Sequence, residues 1–291
     1  MSHFTVLVIG NDPETQLEPF SENLRVPAYV QGDVSDEDKK RFLDHYQKEE
    51  GVSPDLTFDE VYAIHGEDWN DNTWRKSEQG TWQEVSTYNP NSKWDWYSLG
   101  GRWMGFFKLK EGAVGELGRS GTFGNKPDGI GMVDAARKCD IDFDAIRNKA
   151  GQEAAEYYDR FWKLVGDQPL PNWKEIRERH GEGNIDAARK EYGNHPVTQI
   201  LKTDEDFRFA FINEDIMKMA ETRGDYIENE RRSSIVTFAV LHNGKWFEKG
   251  NMGWWGMVSD EKDQNEWNNQ FYELLESLPD DTLLSVYDCH I

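Results

Sequence analysis

Residues 234–291 set an order of elements that any fold of this chain must accommodate. The run 234–241 is apolar and rich in β-branched residues, and reads as a strand. His242-Asn243-Gly244-Lys245 follows as a tight hairpin, because Asn-Gly accepts the positive φ angles of a type I′ turn. Residues 245–248 return as the partner strand. Asp260 then reads as the cap of a helix running to Leu278, with Trp267, Phe271, Leu274 and Leu275 on one face. Pro279-Asp280-Asp281 turns the chain into a last strand over 282–289. At the other end, the apolar run 3–9 stops at Gly10-Asn11-Asp12-Pro13 and reads as a buried strand. Together these predict an α+β fold: an antiparallel or mixed sheet, ferredoxin-like, with helices on one face and a helical insertion.

The rest of the chain fills in around that frame. Residues 36–50, capped by Ser35-Asp36, and 57–64 read as helices. Residues 66–92 show no period and read as loop, and 103–109 as a strand. The stretch 112–131 holds seven glycines and little apolar surface, which predicts a surface loop. Phe143, Ile146, Ala150, Ala154, Tyr157, Phe161 and Leu164 recur at helical spacing and predict a helix over 142–165, stopped by Gly166 and the Pro169/Pro171 pair. Two short amphipathic pieces follow in 172–192. Residues 204–223 read either as helix or, around Phe207-Arg208-Phe209, as strand. The expected organisation is one domain over 1–291. Its sheet core comes from about 1–110 and 231–291, and a glycine-rich loop and helical insertion occupy about 111–230.

Charge narrows the function. The chain carries 55 acidic and 33 basic residues, a net charge of −22. That disfavours direct binding to nucleic acid and to anionic membranes. It fits simple solubility, or mimicry of the charge of DNA towards a host protein partner. Two cysteines, Cys139 and Cys289, make neither a disulfide framework nor a paired-cysteine zinc site. The N-terminus lacks the basic region and cleavage site of a signal peptide, and no run is long enough to span a bilayer, so a cytoplasmic protein is expected.

Three constellations are candidates for chemistry. The first is NPNSKWDWYSLGGRWMGFF, residues 89–107. If it is extended, Lys93, Asp95 and Tyr97 share one face and Trp94 and Trp96 the other. Gly100-Gly101 would let backbone N–H groups approach an anion, Arg102 could bind phosphate or carboxylate, and Trp103 and its neighbours could stack a base or sugar. The alternative is an aromatic core strand with Arg102 paired to Asp95. The second is the patch Trp254-Trp255, set between Gly253 and Gly256. The third lies at the termini. Asp288 and His290 share a strand face, and pairing of the terminal strands would bring His3 to them, as a divalent-metal site or general base. His3-Phe4-Thr5 matches one His-x-Thr element of the two-histidine phosphoesterases, but that fold needs a second and the chain has none. Phosphate-binding loops, dinucleotide fingerprints, nucleophile elbows and HExxH are all absent from the sequence.

SHFTVLVIG at the start, NPNSKWDWYSLGGRW, DIDFDAIRNKAG, MGWWGMVSDEKD and LPDDTLLSVYDCHI at the end resemble, over nearly the whole chain, a family of proteins of tailed bacteriophages and prophage-carrying bacterial genomes. The resemblance implies phage origin and an accessory role inside the infected bacterium. It implies no catalytic residue. Because the rings, the glycine amides and Arg102 suit a base plus a phosphate, the expected function is binding of a small anionic ligand, of nucleotide type, with sequestration, as a counter-defence protein could do, or hydrolysis of it. Two further readings stand beside it: an acidic DNA-mimic inhibitor of a host enzyme, and a metal-dependent hydrolase.

Overall fold

The computed structural model describes residues 2–70, 73–121, 129–208, 213–253 and 256–291. The chain divides into two compact units, one of Leu17–Trp96 and one of Met1–Gln16 with Tyr97–Ile291. The expectation of one domain did not include this division.

The larger unit is built on the first and last strands, His3–Ile9 and Leu283–His290, which pair antiparallel from His3 opposite His290 to Ile9 opposite Leu284. Phe4, Val6, Leu7, Val8 and Ile9 are all buried, so the first strand is covered on both faces. A strand buried on both faces has no polar side to alternate with, which is why the run 3–9 is almost continuously apolar. Its other edge pairs parallel with Ala239–His242. The Asn243-Gly244 turn has φ of 51° and 70°, as the type I′ reading requires, and leads into Lys245–Glu248. The sheet is therefore mixed. A ferredoxin-like order is not confirmed. That βαββαβ arrangement sets the first strand beside the second strand of the hairpin, whereas here it lies beside the first.

Across the sheet, Leu283–His290 pairs with Ala135–Arg137, which pairs in turn with Gly115–Glu116. Trp96–Gly101 also pairs with Leu283–His290, and Arg119–Ser120 lies parallel to it. Segments expected to be loop and insertion thus contribute strands to the main sheet. The helix Gln264–Ser277 lays Trp267, Phe271 and Leu275 on Leu7, Ile9, Val240 and Val286. Its cap is Asp263, not Asp260: the Asp263 carboxylate accepts the N–H groups of Asn265 and Glu266, while Asp260 sits in the preceding turn at φ 51°. The expected strand over 234–241 shortens to 239–242, and the Trp267 indole donates to the Thr237 carbonyl at 2.8 Å. Phe271→Ala should lower stability by about 3–5 kcal/mol, the usual range for an aromatic lost from a packed core, read as a shift of the urea midpoint.

The helices of this unit form a second core. Phe143–Val165 starts where Asp142 accepts the Ala145 N–H at 2.9 Å and ends at Gly166. Phe161, Val165, Ile176, Val197, Leu201 and Ile216 from successive helices pack together with Phe207. Residues 204–208 form a turn, and a helix spans Asn213–Lys218.

The smaller unit sets the helices Asp36–Lys48 and Phe58–Asn70 against a three-stranded sheet of Arg25–Asp33, Trp82–Tyr88 and Trp74–Lys76. The last two strands replace the expected loop. Phe42, Phe58, Tyr62 and Trp74 supply much of its core. Among the described residues no helix is long and apolar enough to cross a membrane.

Candidate functional site

The Gly100-Gly101 pair ends the strand Trp96–Gly101 and opens a tight turn, in which the N–H groups of Trp103 and Met104 return to the carbonyls of Gly100 and Gly101. Both glycines have positive φ, 74° and 53°. Beyond them, backbone N–H groups point at anionic groups, where the sequence reading expected a ligand. The anions belong to the chain itself. The N–H groups of Gly105 and Phe106 donate to Asp134 Oδ1 at 2.7 and 3.0 Å, and that of Gly118 to Oδ2 at 2.8 Å. The Arg102 N–H donates to Asp288 Oδ2 at 2.9 Å. Asp134 and Asp288 are both fully buried. Burial pushes the Asp134 carboxyl up, against the pull of its three N–H donors. The glycine turn is thus a clamp on two internal carboxylates.

The terminal constellation also assembles. His3 Nδ1 lies 2.8 Å from Asp288 Oδ1, and the His3 and His290 rings meet edge to face at 4.9 Å. Asp288 therefore links the two constellations, holding His3 with one oxygen and the Arg102 amide with the other. Among the described residues no group of three or more His, Cys, Asp or Glu side chains is arranged to hold a metal ion. Of the metal candidates, His3 and Asp288 form a hydrogen-bonded pair and His290 packs against the ring of the first.

The other predicted residues are divided between the two units. Lys93, Trp94, Asp95 and Trp96 belong to the smaller unit. There Trp94 is buried with its indole donating to the Leu17 carbonyl at 3.3 Å, a core position, and the Asp95 carboxylate accepts the Trp96 N–H at 2.8 Å. Tyr97 belongs to the larger unit and packs edge-on against Tyr287 at 5.4 Å, where burial pushes the Tyr287 hydroxyl up. The Arg102 guanidinium makes no hydrogen bond or ion pair among the described residues. Trp254 and Trp255 lie outside the described residues.

From Trp103 onward the same turn forms one wall of a cleft of about 1080 Å³ in the larger unit. Trp103, Met104, Phe106 and Lys108 face one side of the helix Phe143–Val165 and the helix Arg223–Ser233. The helix walls bring Lys149, Glu153, Tyr157, Tyr226, Glu230 and Ser233. Lys108 also donates to the Ile130 carbonyl at 2.6 Å, and Lys149 lies 3.6 Å from Glu153. The sequence reading placed only Trp103 of these in a site. The missed signal is in the helix itself. Ala150 and Ala154 sit between Ile146 and Tyr157 on its apolar face, and alanines flanked by large side chains leave room rather than fill it. No protein-family model, curated protein or solved structure matches this chain.

Proposed function

We propose that the protein binds a small ligand of nucleotide type, joining a flat ring to an anionic group, in the cleft between the Trp103–Phe106 turn and the two helices. The observation that carries this is the lining: the rings of Trp103, Phe106, Tyr157 and Tyr226 share one cleft with the ammonium groups of Lys108 and Lys149. Apolar rings with a few convergent polar groups are what small-ligand sites are made of, and the volume lies just above their usual range. The glycine turn enters as support, since its clamp on Asp134 and Asp288 holds the Trp103 wall in place. The phage accessory role, with sequestration or hydrolysis of the ligand as counter-defence, rests on the sequence blocks alone.

Thermal-shift and calorimetric titrations with the common ribonucleotides test the reading. A ligand at 100 times its Kd adds about 2.7 kcal/mol to apparent stability. Lys149→Ala should weaken binding about 10- to 100-fold, the ordinary effect of removing a charged hydrogen-bond partner, and leave the melt of the free protein nearly unchanged. Absence of any shift at millimolar nucleotide would sink the proposal.

A further inference from the structure

The two helices that wall the cleft run antiparallel, and the contacts between them fix their register. Arg231 donates to Asn148 Oδ1 at 2.9 Å, and its stem lies over Gly151, where a Cβ would fall 2.7 Å from Arg231 Cγ. The rings of Tyr158 and Tyr226 stand 5.5 Å apart, and Arg223 pairs with Asp159 at 2.7 and 2.9 Å. Numbers rise on one helix as they fall on the other. The cleft residues therefore sort into three levels. Lys149 lies level with Ser233 and Ser234, Glu153 with Glu230, and Tyr157 with Tyr226. Four residues at 1.5 Å each separate one level from the next by about 6 Å.

The levels follow a chemical order: a cation with serine hydroxyls, of which Ser234's is donated to the Arg231 carbonyl, then two carboxylates, then two phenol rings. Given the nucleotide-type reading, on which this inference rests, that is the order of phosphate, ribose and base. Lys149 with the Ser233 hydroxyl suits a phosphate, the Ser234 hydroxyl being donated to the Arg231 carbonyl at 2.8 Å, and Tyr157, beside the buried Tyr226, presents a ring to a base. The middle level is the informative one. An ionised carboxylate only accepts hydrogen bonds, and the 2′,3′-diol of a ribose offers two O–H donors side by side. Glu153 and Glu230 also have partners that temper their charge, Lys149 at 3.6 Å and Lys218 at 3.9 Å. We infer that the cleft selects a ribonucleoside monophosphate over its 2′-deoxy counterpart, with Glu153 and Glu230 reading the ribose diol.

The test is calorimetric titration of the full chain with the four ribonucleoside 5′-monophosphates and their 2′-deoxy counterparts. At least one ribonucleotide should bind about 10- to 100-fold more tightly than its deoxy form, the usual discrimination when a donor opposite a committed acceptor is lost. The Glu153→Ala/Glu230→Ala double variant should bind both forms alike. Those side chains are 65% and 38% exposed, so the variant should fold, and its thermal melt checks this. Equal binding of the ribo and deoxy forms would overturn the ribose assignment and leave the nucleotide reading standing. A preference that survives in the double variant would overturn the role of the two glutamates. Failure of all eight ligands to bind would overturn both readings.

Discussion

Gly101→Ala should destabilise the larger unit by about 3 kcal/mol or more, seen as a lower urea midpoint for the fluorescence of its tryptophans. Two effects add. At φ 53° any residue with a Cβ is strained, at roughly 1–2 kcal/mol. In addition, the new methyl would stand 2.3 Å from Asp288 Cβ and 2.4 Å from its Oδ2. Asp288 has nowhere to retreat. It is fully buried, its Oδ1 is held by His3 and its Oδ2 by the Arg102 N–H. Moving it breaks a hydrogen bond at either end, each worth about 1–3 kcal/mol when a buried group is left alone. Gly112→Ala is the control for backbone strain by itself: its φ is 79°, but nothing lies within 4 Å of the built Cβ. That variant should cost only about 1 kcal/mol. Equal losses in the two variants would mean that the carboxylate clamp adds nothing.

The same clamp shows what a sequence can and cannot disclose. Turn chemistry is local, so Asn243-Gly244 was readable: the residues that need positive φ are the residues that can adopt it. The Gly100-Gly101 pair was half readable. Paired glycines signal a close approach to backbone N–H groups, and that approach is there, but the identity of the anion is non-local. Asp134 lies about thirty residues further on and Asp288 at the far end of the chain. Nothing in the spacing distinguishes an internal carboxylate from a ligand. Strand pairing fails for the same reason. The apolar runs in 3–9 and 283–290 mark strands, yet whether the first strand lies beside the near or the far arm of the hairpin depends on the crossover through 10–238. The strands Trp74–Lys76 and Trp82–Tyr88 were hidden because they are mostly exposed or half-buried, so no apolar period marks them. The cleft was hidden differently. Its helix was recognised, but the stretch of alanines that opens it reads in sequence as ordinary core.

Asp134→Asn and Asp288→Asn should differ sharply, although both remove one charge from a buried carboxylate. Both oxygens of Asp134 accept backbone N–H groups, Oδ1 from Gly105 and Phe106 and Oδ2 from Gly118. An asparagine must point its NH2 at one of these donors, which orphans at least one part-buried N–H and sets donor against donor. The expected loss is about 2–4 kcal/mol. At Asp288 one oxygen takes the Arg102 N–H, but the other faces His3 Nδ1, and an imidazole nitrogen accepts in its other tautomer. Asparagine there can keep both bonds by turning its amide nitrogen to His3, so the loss should be near 1 kcal/mol. Titration adds a second readout. Because burial raises the folded Asp134 pKa above 3.8, the folded protein holds that proton more tightly than the unfolded chain. The resulting stabilisation is complete below about pH 4 and is lost as the pH rises through the raised value. Asp134→Asn should lack this downward slope, while Asp288→Asn should keep it. Urea midpoints of the three proteins across mildly acid pH measure both effects. An Asp134→Asn variant as stable as Asp288→Asn would show that the three N–H groups are not committed to that carboxylate.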